Sequence, residues 1–287
     1  MEDSKNIIGV SYVGRPKSNT AVFLVKKVEY LLDCLYNAEG CLVFIEEGIV
    51  IPEDLSGRHK FVVSKTPQAE YSRFVIELYK EVQSIDRKRK YVLTDGGYYL
   101  GENTSIGDDS YIAPGCLIGH DVAIGNGAVI EAHATIKNAV IGNNFVLREG
   151  AVIGGEGFTM TVDENNDWIR TPSFGNIIVG NDVEIGINSC VARGTADSTY
   201  IGNNVKMDAL VYIGHDARIE DNTVISAGGI VGGYVEAKER TKIGFNATVR
   251  NRLVLGEHSV IGMGATVVSE VSELETVVGN PARVFIK

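Results

Sequence analysis

Five histidines are the groups in this 287-residue chain best suited to moving a proton near neutral pH: His59, His120, His133, His215 and His258. An imidazole titrates ordinarily near about 6.5, so it can accept a proton from a reacting group and give it up again. Three of them stand in similar local settings: Ile118-Gly119-His120, Glu131-Ala132-His133 and Ile213-Gly214-His215. His59 and His258 read as surface residues. No two histidines have the H-x4-H spacing of a three-histidine zinc site. The four cysteines, Cys34, Cys41, Cys116 and Cys190, form no C-x-x-C. No metal site is therefore expected, and the scattered thiols predict a reduced, cytoplasmic chain.

Composition narrows the function classes. A hydrophobic fraction of 44% suits a folded globular protein. A net charge of -10 argues against a nucleic-acid partner. The one dense basic run, Asp86-Arg87-Lys88-Arg89-Lys90, reads as a solvated linker. No stretch has the roughly 18 consecutive apolar residues of a membrane span. The polar start MEDSKNIIGV does not look like a secretory signal.

The elements that must hold these residues fall into two segments. Residues 1–90 read as a small α/β lobe. Ala21–Val25 and Cys41–Glu46 have strand length, and Val28, Leu31, Leu32 and Leu35 have the spacing of a helix face over Val28–Ala38. Thr66-Pro67 suits the N-cap and first position of a second helix, running to about Val82 and burying Tyr71, Phe74, Val75 and Leu78. Residues 91–287 have a different period. Aliphatic residues recur every sixth position from Leu100 to Ile136, then at Ile141, Leu147 and Ile153, then at Val179, Ile185 and Val191. From Ile201 through Met207, Ile213 and Ile219 to Val267 the phase is unbroken. That period predicts a β-helix in which each hexad is a short strand and a turn, and three hexads close one coil. No coil has a core of its own, so stability must come from stacking. Residues 155–178 and 192–200 interrupt the register as insertions, the first carrying the only tryptophan, Trp168.

The segments REGAVIGGEGF (148–158), WIRTPSFGNIIVGNDVEIGINSCVARGTADSTYIGNNV (168–205) and MDALVYIGHDARIED (207–221) resemble the LpxD-like N-acyltransferases of lipid A synthesis, which acylate a UDP-linked glucosamine derivative. The resemblance implies a left-handed parallel β-helix, a homotrimer, and active sites between neighbouring subunits. The family's base falls on His215 and its acidic partner on Asp208. The family's second histidine falls on Arg252, and an asparagine after the acidic residue falls on Ala209. The C-terminal IGMGATVVSEVSELETVVGNPARVFIK (261–287) instead resembles hexapeptide acetyltransferases of nucleotide-linked amino sugars. That likeness implies coenzyme A lying along Gly264, Ala265 and Arg283.

The implied reaction is attack of a neutral sugar amine on a thioester, with a base taking the amine's proton. Ala227-Gly228-Gly229 could offer backbone N–H groups to the oxyanion, making Ala227 and Gly228 acyl-donor contacts. Glu149, Asn176 and His133 are candidate sugar contacts, and Phe158 and Trp168 could stack on the nucleobase or simply anchor their loop. The proton has three destinations open to it: His215, His133 or His120, or the departing thiolate. The leading expectation is acetyl-CoA-dependent N-acetylation of a nucleotide-linked amino sugar for surface polysaccharide, with no bound cofactor and acetyl-CoA as co-substrate. The alternative is a UDP-3-O-acylglucosamine N-acyltransferase fed by acyl carrier protein. A γ-type carbonic anhydrase lacks its histidine pair here, and a non-catalytic trimeric scaffold would leave the His215 segment without a role. The lobe either binds nucleotide or caps the first coil.

Overall fold

A computed structural model describes residues 6–285. The chain divides into two compact units. One comprises residues up to Lys88 with Phe158–Phe174 and Thr195–Asp197; the other comprises Arg89–Gly157, Gly175–Gly194 and Ser198–Lys287.

The first unit is built on a parallel sheet in the order β1 (Gly9–Val10), β2 (Thr20–Leu24), β3 (Leu42–Glu46) and β4 (Lys60–Ser64). Alternation along β2 and β3 sends side chains to both faces, and both faces are covered. Val22, Leu24, Val43 and Ile45 pack with Leu32, Leu35 and Leu55 on one side. Ala21, Leu42 and Phe44 pack with Tyr71 and Val75 on the other. The first predicted helix is a 3₁₀ helix over Lys26–Asn37, broken at Val28 (φ −124°), with Leu32 and Leu35 buried. Helix α1 is Glu53–Arg58 and α2 is Pro67–Asp86, four residues past the expected end. Thr66 does not cap α2 with its side chain. Ser64 serves the entry instead: its Oγ accepts from the Thr66 N–H (3.0 Å) and donates to Glu70 (2.6 Å).

The long insertion is not an ornament of the β-helix. It forms an antiparallel hairpin, Thr159–Val162 with Trp168–Thr171, that belongs to the first unit. Thr171 hydrogen-bonds Ser72 of α2 (2.7 Å), and Asp163 pairs with Arg73 (3.2 Å). The short insertion also contributes, since Asp197 pairs with Arg15 (3.3 Å). Hexad periodicity shows where such segments leave the coil but not what they pack on.

The second unit is a three-sided parallel β-helix. Its hexads form strands of two to four residues in three sheets of eight, ten and ten strands. Successive coils stack in register: Ile213 on Val231 on Val249 on Val267, and Ile225 on Ile243 on Ile261. These side chains are at most 1% exposed. The corners carry left-handed backbone, held by asparagine and aspartate at Asn204 (φ 53°), Asn222 (φ 59°) and Asp216 (φ 58°). Side-chain ladders tie corner to corner: the Asn143 N–H donates to Asn181 Oδ1 (2.8 Å), Asn181 N–H to Asn203 Oδ1 (2.9 Å), and Asn203 N–H to Asp221 Oδ1 (2.7 Å). Among the described residues no helix is long and apolar enough to cross a membrane.

His59 is not a surface residue. It is 6% exposed, accepts the Cys41 N–H at Nδ1 (3.2 Å) and so holds its own proton on Nε2, directed at Leu35 O (3.1 Å). Burial pushes its pKa below the usual imidazole value. The unfolded chain then binds a proton more readily than the folded one. This contribution to stability is fully present above about pH 6.5 and is lost as pH falls below it. Urea unfolding followed by Trp168 fluorescence, which reports on this unit, is expected to weaken from pH 7 to pH 5. His59→Gln, which keeps an acceptor and a donor but cannot titrate, should flatten that decline; an equal decline in the variant would assign the pH sensitivity elsewhere.

Candidate active site

His215 follows the strand Tyr212–Ile213 at one corner of the β-helix. Its Nδ1 lies 2.9 Å from Asp216 Oδ2, with the His215 side chain 15% and the Asp216 side chain 3% exposed. A carboxylate can only accept, so it holds the ring proton on Nδ1 and leaves the Nε2 lone pair as the basic site. Asp216 is fixed in turn: its N–H donates to Thr199 Oγ1 (2.9 Å), and Thr199 donates to Ala192 O (2.8 Å). The carboxylate bonded to the imidazole is thus the neighbouring Asp216, replacing the expectation that Asp208 orients it.

Two glycines make the room around this ring. A Cβ on Gly157 would meet His215 Cβ at 2.8 Å. A Cβ on Gly233, one coil above, would sit 2.9 Å from both Cε1 and Nε2. At either position an added methyl would force the His215 side chain or the backbone to shift, and glycine at 233 leaves room for the ring. On the remaining side Tyr234 meets the imidazole edge-on at 5.3 Å and 89°, and the Arg252 guanidinium lies 4.3 Å from the Tyr234 ring centre.

The other predicted residues sit elsewhere. Asp208 and Glu149 line a groove of about 500 Å³ with Arg148, Glu184, Lys206 and Ser226. Ala227 and Gly228 continue the same corner, since Gly228 N–H donates to Ala209 O (3.0 Å) and Asn246 N–H to Ala227 O (3.0 Å). Gly264 extends it, donating to Phe245 O (2.7 Å), and beside it Ala265 is buried in the core. His133 is on this corner too, beside Ala132, whose carbonyl takes the Gly150 N–H (3.1 Å). The strand Tyr212–Ile213 separates this corner from that of His215. Arg283 borders a cleft of about 250 Å³ with Glu270 and Glu275. Phe158 and Trp168 are each 70% exposed on the hairpin, with Arg170 over the Phe158 ring at 5.7 Å. Asn176 is exposed, and its backbone carbonyl accepts from Thr199 N–H (3.0 Å). His120 has a packing role: its Nδ1 takes the Glu102 N–H (2.8 Å) and its ring packs on Tyr91 at 4.4 Å. Burial pushes the Cys190 and Cys116 thiols up, away from nucleophilic thiolate. Among the described residues no three histidine, cysteine, aspartate or glutamate side chains converge as metal ligands.

Sequence reasoning missed Asp216, Thr199, Gly157 and Gly233. An aspartate adjacent to the histidine was a visible signal. The glycines carry none, because their significance appears only when coils are stacked.

Residues 103–138 match the bacterial transferase hexapeptide (six repeats) family. The UDP-3-O-acylglucosamine N-acyltransferase of Coxiella burnetii is 36% identical over 168 residues, 50% of this chain and 49% of that protein. A Legionella pneumophila protein named UDP-3-O-acylglucosamine N-acyltransferase 2 is 43% identical over 102 residues, covering 36% and 29%. This chain is similar to UDP-3-O-acylglucosamine N-acyltransferases. It spans about half the length of the Coxiella burnetii relative. Among solved structures, the UDP-N-acetylglucosamine acyltransferase of Francisella novicida superposes with a TM-score of 0.58 at 27% identity, covering 63% of this chain and 64% of that one. LpxA from Acinetobacter baumannii gives 0.61 at 23%, covering 68% and 74%. The fold is a left-handed parallel β-helix following an α/β region. The relatives overturn the leading functional expectation: they act on UDP-3-O-acylglucosamine, not on the amino sugars of acetyl-CoA-dependent acetyltransferases.

The steric reading of Gly233 is testable without knowing the reaction. In wild-type protein the ¹⁵N shifts of His215 should report an unprotonated Nε2 in the neutral ring. Gly233→Ala should shift those resonances and slow carbethoxylation of His215, with the protein still folded. Unchanged shifts and reactivity would mean that the added methyl is accommodated and Nε2 is not approached from that side.

Proposed function

We propose that the protein is an N-acyltransferase of the UDP-3-O-acylglucosamine type, moving an acyl chain from a carrier-protein thioester to the amine of a UDP-linked sugar. The observation that carries this reading is the His215–Asp216 pair, packed against Gly233, in a chain whose curated relatives act on that substrate.

The chemistry follows from the geometry. The amine attacks the thioester carbonyl and becomes cationic as the C–N bond forms. His215 Nε2 takes the proton, and Asp216 stabilises the resulting imidazolium through Nδ1–H. The adduct collapses by breaking the C–S bond, and the thiolate departs. A nearly buried carboxylate at 2.9 Å is worth more to that imidazolium than an exposed one would be.

Reading the assembly as a homotrimer fits the division of residues between two corners. A neighbouring copy can present the Asp208–Glu149 corner to His215, which one rigid coil cannot do for itself. In that arrangement Asp208, Glu149, Ala227 and Gly228 belong to the site through the neighbour. Phe158 and Trp168 stay the proposed stacking surface for the nucleobase.

The test is product formation from UDP-3-O-acylglucosamine and acyl carrier protein thioesters by purified full-length protein. Wild type should acylate the amine. His215→Ala should lose about 10²–10⁴ in kcat, the range for a removed general base. Asp216→Asn, which disturbs the tautomer rather than removing the ring, should also lose at least about tenfold. Turnover indifferent to His215→Ala would reassign the base, and absence of product with every carrier thioester would defeat the proposal.

A further inference from the structure

The corner that carries His215 also carries an arginine with unused donors. Arg252 is exposed, and among the described residues it has no ion pair and no side-chain hydrogen bond; its guanidinium rests on the Tyr234 ring at 4.3 Å. Arg250, two residues earlier on the same turn, is exposed and likewise without an ion pair among the described residues. Six other arginines, Arg15, Arg58, Arg73, Arg89, Arg148 and Arg240, each pair with an aspartate or glutamate. Two guanidiniums without an ion pair on the corner of the proposed base give it local positive charge in a chain of net charge -10.

The backbone holds Arg252 where it is. Asp216, Tyr234 and Arg252 occupy the same corner position in three successive coils, with φ of 58°, 59° and 62°. Tyr234 N–H donates to His215 O (3.0 Å), and Arg252 N–H donates to Gly233 O (3.0 Å). Large side chains at positive φ are strained where asparagine or glycine would not be. Here the positive-φ corner sets the Tyr234 ring edge-on to the His215 imidazole, with the Arg252 guanidinium on its face. A stacked guanidinium has lost much of its freedom before any ligand arrives, and its planar fork suits a tetrahedral oxyanion.

We propose that Arg252, braced on Tyr234 and assisted by Arg250, binds a phosphate group of a reactant held at His215. This inference rests on the function proposed above, whose two reactants both carry phosphate: the diphosphate of the UDP-sugar and the phosphodiester of the carrier's pantetheine arm. The chemistry of the site is the same for either, and the experiment separates them.

Binding of UDP and of pantetheine 4′-phosphate to the full-length protein is measured by calorimetry for wild type, Arg252→Gln, Arg252→Lys, Tyr234→Leu and Tyr234→Phe, alongside KM for each substrate. Arg252→Gln should weaken one of the two ligands by about ten- to a hundredfold, as for a lost charged hydrogen bond, and raise the matching KM while leaving kcat nearly constant. Arg252→Lys should recover part of that loss. Tyr234→Leu should weaken the same ligand, and Tyr234→Phe, which keeps the ring, should not. Loss confined to UDP makes the sugar nucleotide the source; loss confined to pantetheine phosphate makes it the carrier. Wild-type protein that binds these ligands but transfers no acyl group would defeat the functional reading and leave the phosphate site standing. The phosphate site is overturned if Arg252→Gln binds both ligands as wild type does, or if wild type binds neither.

Discussion

Everything in the larger unit depends on one constraint: an aliphatic side chain must point inward at every sixth residue and land on its equivalent in the coil below. Ile219, Ala237 and Leu255 stack this way on one face, fully buried. Because each coil has no core alone, the stacking free energy is shared between neighbours and no single hexad can drift. A lost aliphatic residue would open a cavity against two coils at once, at about 2–5 kcal/mol for a large-to-alanine change. The rigidity that follows belongs as much to the corners as to the faces. A turn residue is held above its equivalent and hydrogen-bonded to the residue before that equivalent, as Tyr234 N–H is to His215 O. Chemistry on such a scaffold is therefore arranged along edges.

The His215 edge uses this arrangement in three ways. The residue beside the histidine orients it, through the Asp216 carboxylate. The coil above supplies empty space, through Gly233. The next residue of that coil, Tyr234, braces the ring, and Arg252 one coil further braces Tyr234. The contributions come from three stacked coils at fixed offsets, so the site needs no flexible loop for its precision. A buried aspartate would be costly were its charge unmet. The His215 imidazole meets the Asp216 carboxylate at 2.9 Å.

Legibility in the sequence followed the same division. The β-helix could be read because one physical rule repeats: Ile201 through Val267 keep phase with no exception, and every one of those positions faces inward. The lobe was read in outline, since β2, β3 and α2 have local signals, but its 3₁₀ helix and the hairpin docked on α2 do not. Trp168 and Phe158 looked like residues of a loop on the repeat, whereas the Thr171–Ser72 hydrogen bond ties their hairpin to α2 within the first unit. His59 looked exposed because a lone histidine between arginine and lysine carries no sign of the Cys41 and Leu35 backbone groups that enclose it. At the site, His215 was legible from its resemblance. The pairing with Asp216 rather than Asp208 depends on which corner each residue occupies, and a period of six cannot by itself say how far two corners are from one another.

That separation bears on how the protein must work. Asp208, Glu149, Ala227 and Gly228 share one corner, His215 and Asp216 another, and a two-residue strand lies between them. A coil locked above and below by stacked side chains cannot bend to bring its corners together. Closing a hinge, the usual way to complete a site after substrate enters, is therefore unavailable within this unit. A second copy set edge to edge offers the other route, and it does so at every coil simultaneously because both edges are straight and regular. Exposed apolar side chains along the Asp208 edge, Ile187, Leu210, Phe245 and Met263, give such a contact something to bury. The proposed trimer is consistent with that stiffness: the same stacking that makes each corner accurate leaves the proposed second corner to be supplied by a neighbouring copy.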